Sequence, residues 1–179
     1  DLILKLIAER HQVYSFISEY SENDIKRLKK LGVNVVTYNL NRGGLNPFSD
    51  LRSLFELRSK IIRIQPNIVF SYFTKPVVYG SLAAKLSKVP LIIGMIEGLG
   101  SPFTVHKNGQ NLKIKIIKFI QINLYGIVFP FLDRIIFLNP DDPIDLLEKN
   151  KIRVKKNAVQ ILGPIGLNLS DYQFKRWDE

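Results

Sequence analysis

Three short stretches of the sequence combine residue types that could hold or activate a ligand. In Phe73-Thr74-Lys75-Pro76-Val77-Val78-Tyr79-Gly80, an ammonium stands just before a helix-opening proline. The free N–H groups of a first helical turn and the Lys75 charge could face one anion together. A surface lysine beside a helix-starting proline gives the same pattern. In Glu97-Gly98-Leu99-Gly100, a carboxylate directly follows an apolar run. A charge there is costly unless it is partnered or used. Gly98 and Gly100 allow tight turning and close backbone approach to a ligand, although a Gly-flanked Glu can equally just cap a loop. Asn139-Pro140-Asp141-Asp142 reads first as a helix N-cap with proline behind it. A ligand contact by the Asn139 side chain is the second reading.

Composition limits what chemistry these groups can serve. The 179 residues contain no cysteine, so neither disulfides nor thiolate metal sites are available. The two histidines, His11 and His106, are far apart, and no ligand spacing for a metal occurs. No metal and no cofactor is expected. The formal net charge of +10 favours a polyanionic partner, namely nucleic acid, an anionic membrane face or a phosphorylated substrate. A solvated lysine-rich surface is the plainer account of it. The charged opening segment does not read as a signal peptide.

The elements that must carry the three stretches follow from apolar periodicity, which alternates between helix and strand spacing. Helices are predicted over Asp1–Glu9, Asp24–Leu31 with Gly32 as a stop, and from a Ser49 or Asp50 cap to Pro66. In that last helix Leu51, Leu54, Phe55, Ile61 and Ile62 are expected to line one face. Further helices are predicted over Val77–Ser87, Leu112–Phe129 and Asp141–Asn150. Strands are predicted over Gln12–Ile17, Val33–Tyr38, Asn67–Tyr72, Leu91–Ile96, Arg134–Leu138 and Ala158–Leu162, those at 67 and 91 being of the buried type. The alternation predicts an α/β, Rossmann-like, doubly wound and mostly parallel sheet covered by helices. Ligands of such a sheet bind beyond the carboxyl ends of its strands, where the three stretches fall. The sequence opens in a helix, so either a first strand and its loop are expected upstream or the fold simply starts with a helix.

In order and spacing, NRGGLNP, YFTKPVVYGSLAAK, MIEGLG, FLNPDD and GPIGLNLSDY resemble the N-terminal domain of family 4 glycosyltransferases. The resemblance is strongest to the branch acting on undecaprenyl-diphosphate-linked sugars in capsule, O-antigen and protein-glycan assembly. It covers almost the whole of residues 1–179 and implies one half of a two-Rossmann-domain (GT-B) fold, with the C-terminal donor-binding domain lying elsewhere. It implies a retaining transferase that moves a hexose or N-acetylhexosamine from a nucleotide-sugar to a lipid-diphosphate-linked sugar. This half would be inactive alone and would work on the cytoplasmic, inner face of the bacterial plasma membrane. By that resemblance Glu97 is the catalytic candidate, although many relatives place a histidine there. Asn46, Lys75, Tyr79, Gly98, Gly100 and Asn139 are the acceptor-binding candidates.

The stretch Ile114–Leu138 is the most apolar of the chain. Lys115, Lys118, Gln121, Asn123, Asp133, Arg134 and Pro130 interrupt it, so it is not expected to span a bilayer, which takes roughly 20 nearly unbroken apolar residues. Within Leu112–Phe131, Lys113, Lys115 and Lys118 accompany Ile114, Ile116, Ile117, Phe119 and Ile120, which suits an anionic membrane surface. An ordinary covering helix would look similar. Two rival functions stand beside transfer: a nucleotide-sugar epimerase of the same architecture, and a basic nucleic-acid-binding module. No recognition-helix, RNP-like or finger pattern favours the latter, and no nucleic-acid partner is expected.

Overall fold

The computed structural model describes residues 2–41, 46–104, 111–164 and 166. His106, Arg42–Leu45 of NRGGLNP and most of GPIGLNLSDY lie outside the described residues. The chain divides into two compact units, Asp1–Asn67 with Leu82–Pro90, and Ile68–Ser81 with Leu91–Glu179.

The first unit holds α1 (Leu2–Ala8), β1 (Tyr14–Ile17), α2 (Glu22–Lys30), β2 (Asn34–Thr37) and α3 (Pro47–Ile64). β1 and β2 pair in parallel, from Tyr14 opposite Asn34 to Ile17 opposite Thr37. α2 begins two residues before the predicted Asp24, because Ser21 and Asp24 form a reciprocal capping box. The Ser21 N–H donates to Asp24 Oδ2 at 3.0 Å, and the Asp24 N–H donates to Ser21 Oγ at 3.2 Å. Gly32 follows with φ of 84°, the left-handed stop that the sequence predicts.

α3 departs from expectation twice. Its cap is Asn46 with Pro47 in the first turn, not Ser49 or Asp50, because the Asn46 amide oxygen accepts the N–H groups of Phe48 and Ser49. Its buried face runs through Asp50, Ser53, Leu54, Leu57 and Ile61, while Leu51, Phe55 and Ile62 are exposed. Steps of three and four residues from Asp50 select that face. Leu51, Phe55 and Ile62 lie on a neighbouring row that the sheet does not cover.

The second unit carries the four-stranded parallel sheet, in the order β3 (Ile68–Tyr72), β4 (Leu91–Ile96), β5 (Arg134–Phe137), β6 (Val159–Ile161). Tyr72 pairs with Met95 and Ile96 with Phe137, so neighbouring strands end nearly level. β3 is not the doubly covered strand predicted from its composition. Ile68, Phe70 and Tyr72, which alternate onto one face of β3, are all exposed, so that face is uncovered among the described residues, and β3 pairs there only with β4. β1 and β3 thus each keep an unpaired edge among the described residues, and the expected single sheet is present as two parallel ladders.

α5 (Leu112–Val128) runs into a 3₁₀ turn at Phe129–Phe131. Tyr125, Val128, Phe129, Leu132, Ile135, Phe137 and Leu146 form the fully buried centre of this unit. Gly94 lets that centre close. A Cβ there would lie 3.0 Å from Leu132 and 3.1 Å from Val77, closer than packed methyl groups tolerate. The helical run after β3 opens with a π turn, Pro76–Gly80, and passes into α4 (Ser81–Leu86). The predicted Asp141–Asn150 helix is likewise split, into α6 (Asp141–Pro143) and a π turn at Ile144–Glu148.

Asp133 ties the strand starts together. Its carboxylate accepts the Ile92 N–H at 2.8 Å and the Lys155 ammonium at 2.7 Å. Partial burial alone would raise this carboxyl, but the bonds from Lys155 and Ile92 outweigh it and hold it below the usual range. A carboxyl lowered on folding stabilises above its unfolded value, about pH 4, and that stabilisation fades as pH falls through the lower folded value. The unfolding midpoint of Asp133→Asn should therefore lie below wild type at pH 7 and converge on it towards pH 2. A gap that stays constant with pH would assign Asp133 no ionic contribution.

Candidate functional site

The carboxyl ends of β3, β4 and β5 bring the three stretches to one edge of the sheet. After β3, Phe73 adopts φ of 67°, a left-handed conformation uncommon for a bulky residue, and its carbonyl accepts the Val77 N–H at 2.9 Å. Strain of this kind clusters at ligand-binding turns. It sends the chain into the π turn with Lys75 at its cap and Pro76 first, and π turns too recur at functional sites. Lys75 and Tyr79 are four residues apart, so both face one side of that turn, and both are partly buried. Gly80 is fixed by packing, since a Cβ there would stand 2.7 Å from the buried Ser71 hydroxyl.

After β4, Glu97 is partly buried, and no hydrogen bond or ion pair to another described residue holds its carboxylate. Gly98 and Gly100 are exposed and Leu99 is buried between them, anchoring the loop. Gly100 takes φ of 74°, which supplies the physical reason for glycine at that position. Its neighbours Ser101–Phe103 form a 3₁₀ turn, and the Lys118 ammonium sits 4.5 Å from the Phe103 ring centroid. That contact takes Lys118 out of the purely solvent-facing or membrane-facing set to which sequence assigned it.

After β5, the Asn139 amide oxygen accepts the N–H groups of Asp141 at 3.0 Å and Asp142 at 2.8 Å. The structural reading of Asn139 is therefore realised. Burial pushes the Asp142 carboxyl up. Asn139 opposes this in part, and the charges of Asp145 and Asp141 reinforce it. Oδ2 of Asp142 is buried without a hydrogen-bond partner among the described residues.

Asn46 belongs to the first unit, where its amide oxygen is committed to the α3 cap. Among the described residues no group of three or more His, Asp or Glu side chains could hold a metal. A concavity of about 560 Å³ in the first unit is lined by Tyr14, Lys29, Asn34, Lys60 and Arg63. It opens where β1 and β2 begin, the end of a parallel sheet that ligands do not normally use.

Sequence reasoning missed Thr74, Gln121, Tyr125 and Asp142, which lie behind the exposed loops. The Tyr125 hydroxyl is hydrogen-bonded to the Thr74 side chain and receives the Gln121 amide at 3.4 Å. Gln121 also donates to the Leu99 carbonyl at 3.4 Å. Burial pushes the Tyr125 phenol up, against the opposing effect of those two partners. The available signal was the helical spacing of four between Gln121 and Tyr125, two hydrogen-bonding residues of α5.

A helix-covered parallel sheet with charged and glycine-bearing loops at its carboxyl edge defines a Rossmann-like domain. The chain belongs to the glycosyl transferase 4-like family, whose pattern matches residues 2–137. Over 170 residues it is 27% identical to the N,N'-diacetylbacillosaminyl-diphospho-undecaprenol alpha-1,3-N-acetylgalactosaminyltransferase of Campylobacter jejuni. That match covers 95% of this chain and 43% of the relative, so the chain spans less than half of the relative's length. Among solved structures, it is similar to Anabaena HepE in complex with UDP and glucose, with a TM-score of 0.61 at 12% identity. There the match covers 97% of this chain and 42% of the other. A putative UDP-N-acetylglucosamine 2-epimerase from Listeria monocytogenes gives a TM-score of 0.58 at 15% identity, over 88% and 39%. Acinetobacter baumannii MurG gives 0.53 at 12% identity, over 96% and 42%. At these identities the structural likenesses establish the fold alone.

Proposed function

We propose that this chain is the acceptor-binding half of a retaining sugar transferase that adds a hexose or N-acetylhexosamine to a lipid-diphosphate-linked sugar. The observation that carries this reading is the meeting of Lys75, Glu97-Gly98-Leu99-Gly100 and Asn139 at the carboxyl edge of three neighbouring strands. Lys75 and the strained turn before it supply a cationic, N–H-bearing end for the acceptor diphosphate. Tyr79, on the same side of that turn, contacts the acceptor beside it. Glu97 orients the attacking hydroxyl or stabilises developing charge. The glycines let the loop backbone approach the sugar, and Asn139 holds the turn after β5 at the same edge. The donor nucleotide-sugar is held by a part of the intact protein beyond this chain, and neither a cofactor nor a metal in this half enters the reaction.

α5 supports a position on the cytoplasmic face of an anionic membrane, where surface polysaccharide such as capsule or O-antigen is assembled. By length and composition alone, Leu112–Phe131 would suffice to cross a bilayer, contrary to the sequence expectation. Gln121, Tyr125, Val128 and Phe129 are nevertheless buried, which makes α5 a covering helix. Its opposite face exposes Leu112, Ile116, Phe119, Ile120 and Ile127, with Lys113 and Lys115 exposed beside them. An apolar stripe flanked by cations is suited to lying in the interface, each lysine adding on the order of 1 kcal/mol.

The test is transfer by the intact protein from a UDP-sugar to an undecaprenyl-diphosphate-linked sugar, with the anomeric configuration of the product read by NMR. A retained configuration is expected, and an inverted one excludes the retaining mechanism. Lys75→Ala should raise the acceptor KM roughly tenfold or more, since a charged hydrogen bond contributes about 1.5–3 kcal/mol. The donor KM should not change, and an unchanged acceptor KM removes Lys75 from the diphosphate. The likeness to a 2-epimerase fold supports one alternative. Conversion of the nucleotide-sugar with no lipid acceptor present would select it.

A further inference from the structure

We infer that Tyr125, on the buried side of α5, is the positioning residue that sets the acceptor loops after β3 and β4 relative to one another. This inference rests on the acceptor-binding reading above and deepens it. Tyr125 is 0% exposed, and its ring packs on Phe129 with centroids 4.7 Å apart. Packing alone would be served by phenylalanine, as at 129. A buried hydroxyl costs free energy unless it is bonded, so its partners explain its presence.

Those partners lead to different loops. Thr74, after β3, hydrogen-bonds the phenol and immediately precedes Lys75. Gln121 links the phenol to the Leu99 carbonyl, two residues beyond Glu97 in the loop after β4. Lys75 and Glu97 therefore each stand one or two steps from a single hydroxyl carried by a rigid helix. Groups placed this way fix the geometry of the residues in front of them without touching the substrate.

The experiment compares the intact wild-type protein with Tyr125→Phe, Thr74→Val and the double variant. Tyr125→Phe should speed amide exchange at Thr74–Val77 and Glu97–Gly100 about tenfold or more, with the exchange of β4 and β5 unchanged. The acceptor KM should rise about tenfold while the donor KM stays constant. The double variant should be no worse than the worse single, since both remove one bond. Wild-type loop exchange and acceptor KM in Tyr125→Phe overturn the inference. So does a uniform rise in exchange across the sheet, which marks a merely structural role. If Tyr125→Phe does not fold, Thr74→Val decides by the same readouts. If the wild type transfers no sugar, the functional reading fails, while loop exchange still decides the role of Tyr125.

Discussion

Glu97→Gln in the intact protein is expected to lower sugar transfer about a hundredfold or more while leaving the unfolding midpoint where it is. Glu97 leaves β4 just after Ile96, which is buried, and is itself only partly exposed. Its carboxylate is held by no other described residue, so it contributes little to folding, and replacing it with the isosteric amide should cost little stability. A group that takes up a proton or balances charge in the transition state contributes about 10²–10⁴ in rate. Gln keeps the shape and loses both capacities. Turnover at saturating acceptor and donor, together with thermal unfolding, checks this. A variant within a few-fold of wild type takes Glu97 out of the chemistry, and one that fails to fold makes it a structural residue.

The second large effect concerns the outer face of α5. Ile116→Glu with Phe119→Glu should reduce sedimentation of the intact protein with phosphatidylglycerol-containing vesicles more than a hundredfold. Each large apolar side chain transferred from water contributes about 1.5–3 kcal/mol, and two introduced carboxylates also repel an anionic surface. Ile116 is 48% and Phe119 68% exposed, so the stability change should stay within about 0.5 kcal/mol. Phe137→Ala, by contrast, should destabilise by about 3–5 kcal/mol, because that ring is fully buried in the sheet core. Undiminished vesicle binding would remove α5 from the membrane. Unfolding of the double variant would show instead that the stripe is packed in the intact protein.

Local chemistry carried much of the sequence reading. The limits of β4 were legible to the residue, because six apolar residues between Pro90 and a Glu-Gly turn leave few alternatives. Gly32 as a stop and Asn139 as a cap were legible for the same reason, each depending on its immediate neighbours. Where two local solutions competed, reading failed. Asn46 and Ser49 can both cap a helix, and only the folded chain shows that Asn46 reaches the free N–H groups.

The sequence alone determined an α/β order of elements, the absence of thiol chemistry, and the three loops that carry charge or glycine. These depend on residue type and on spacing along the chain. Only the tertiary structure decided that β3 is an exposed edge and that α3 buries Leu57 rather than Leu51. It alone brought Thr74, Leu99 and Asp142 to the environment of Tyr125. The reason is physical: burial and hydrogen bonding depend on which elements pack together, and residues far apart in the chain meet only when the fold sets them side by side.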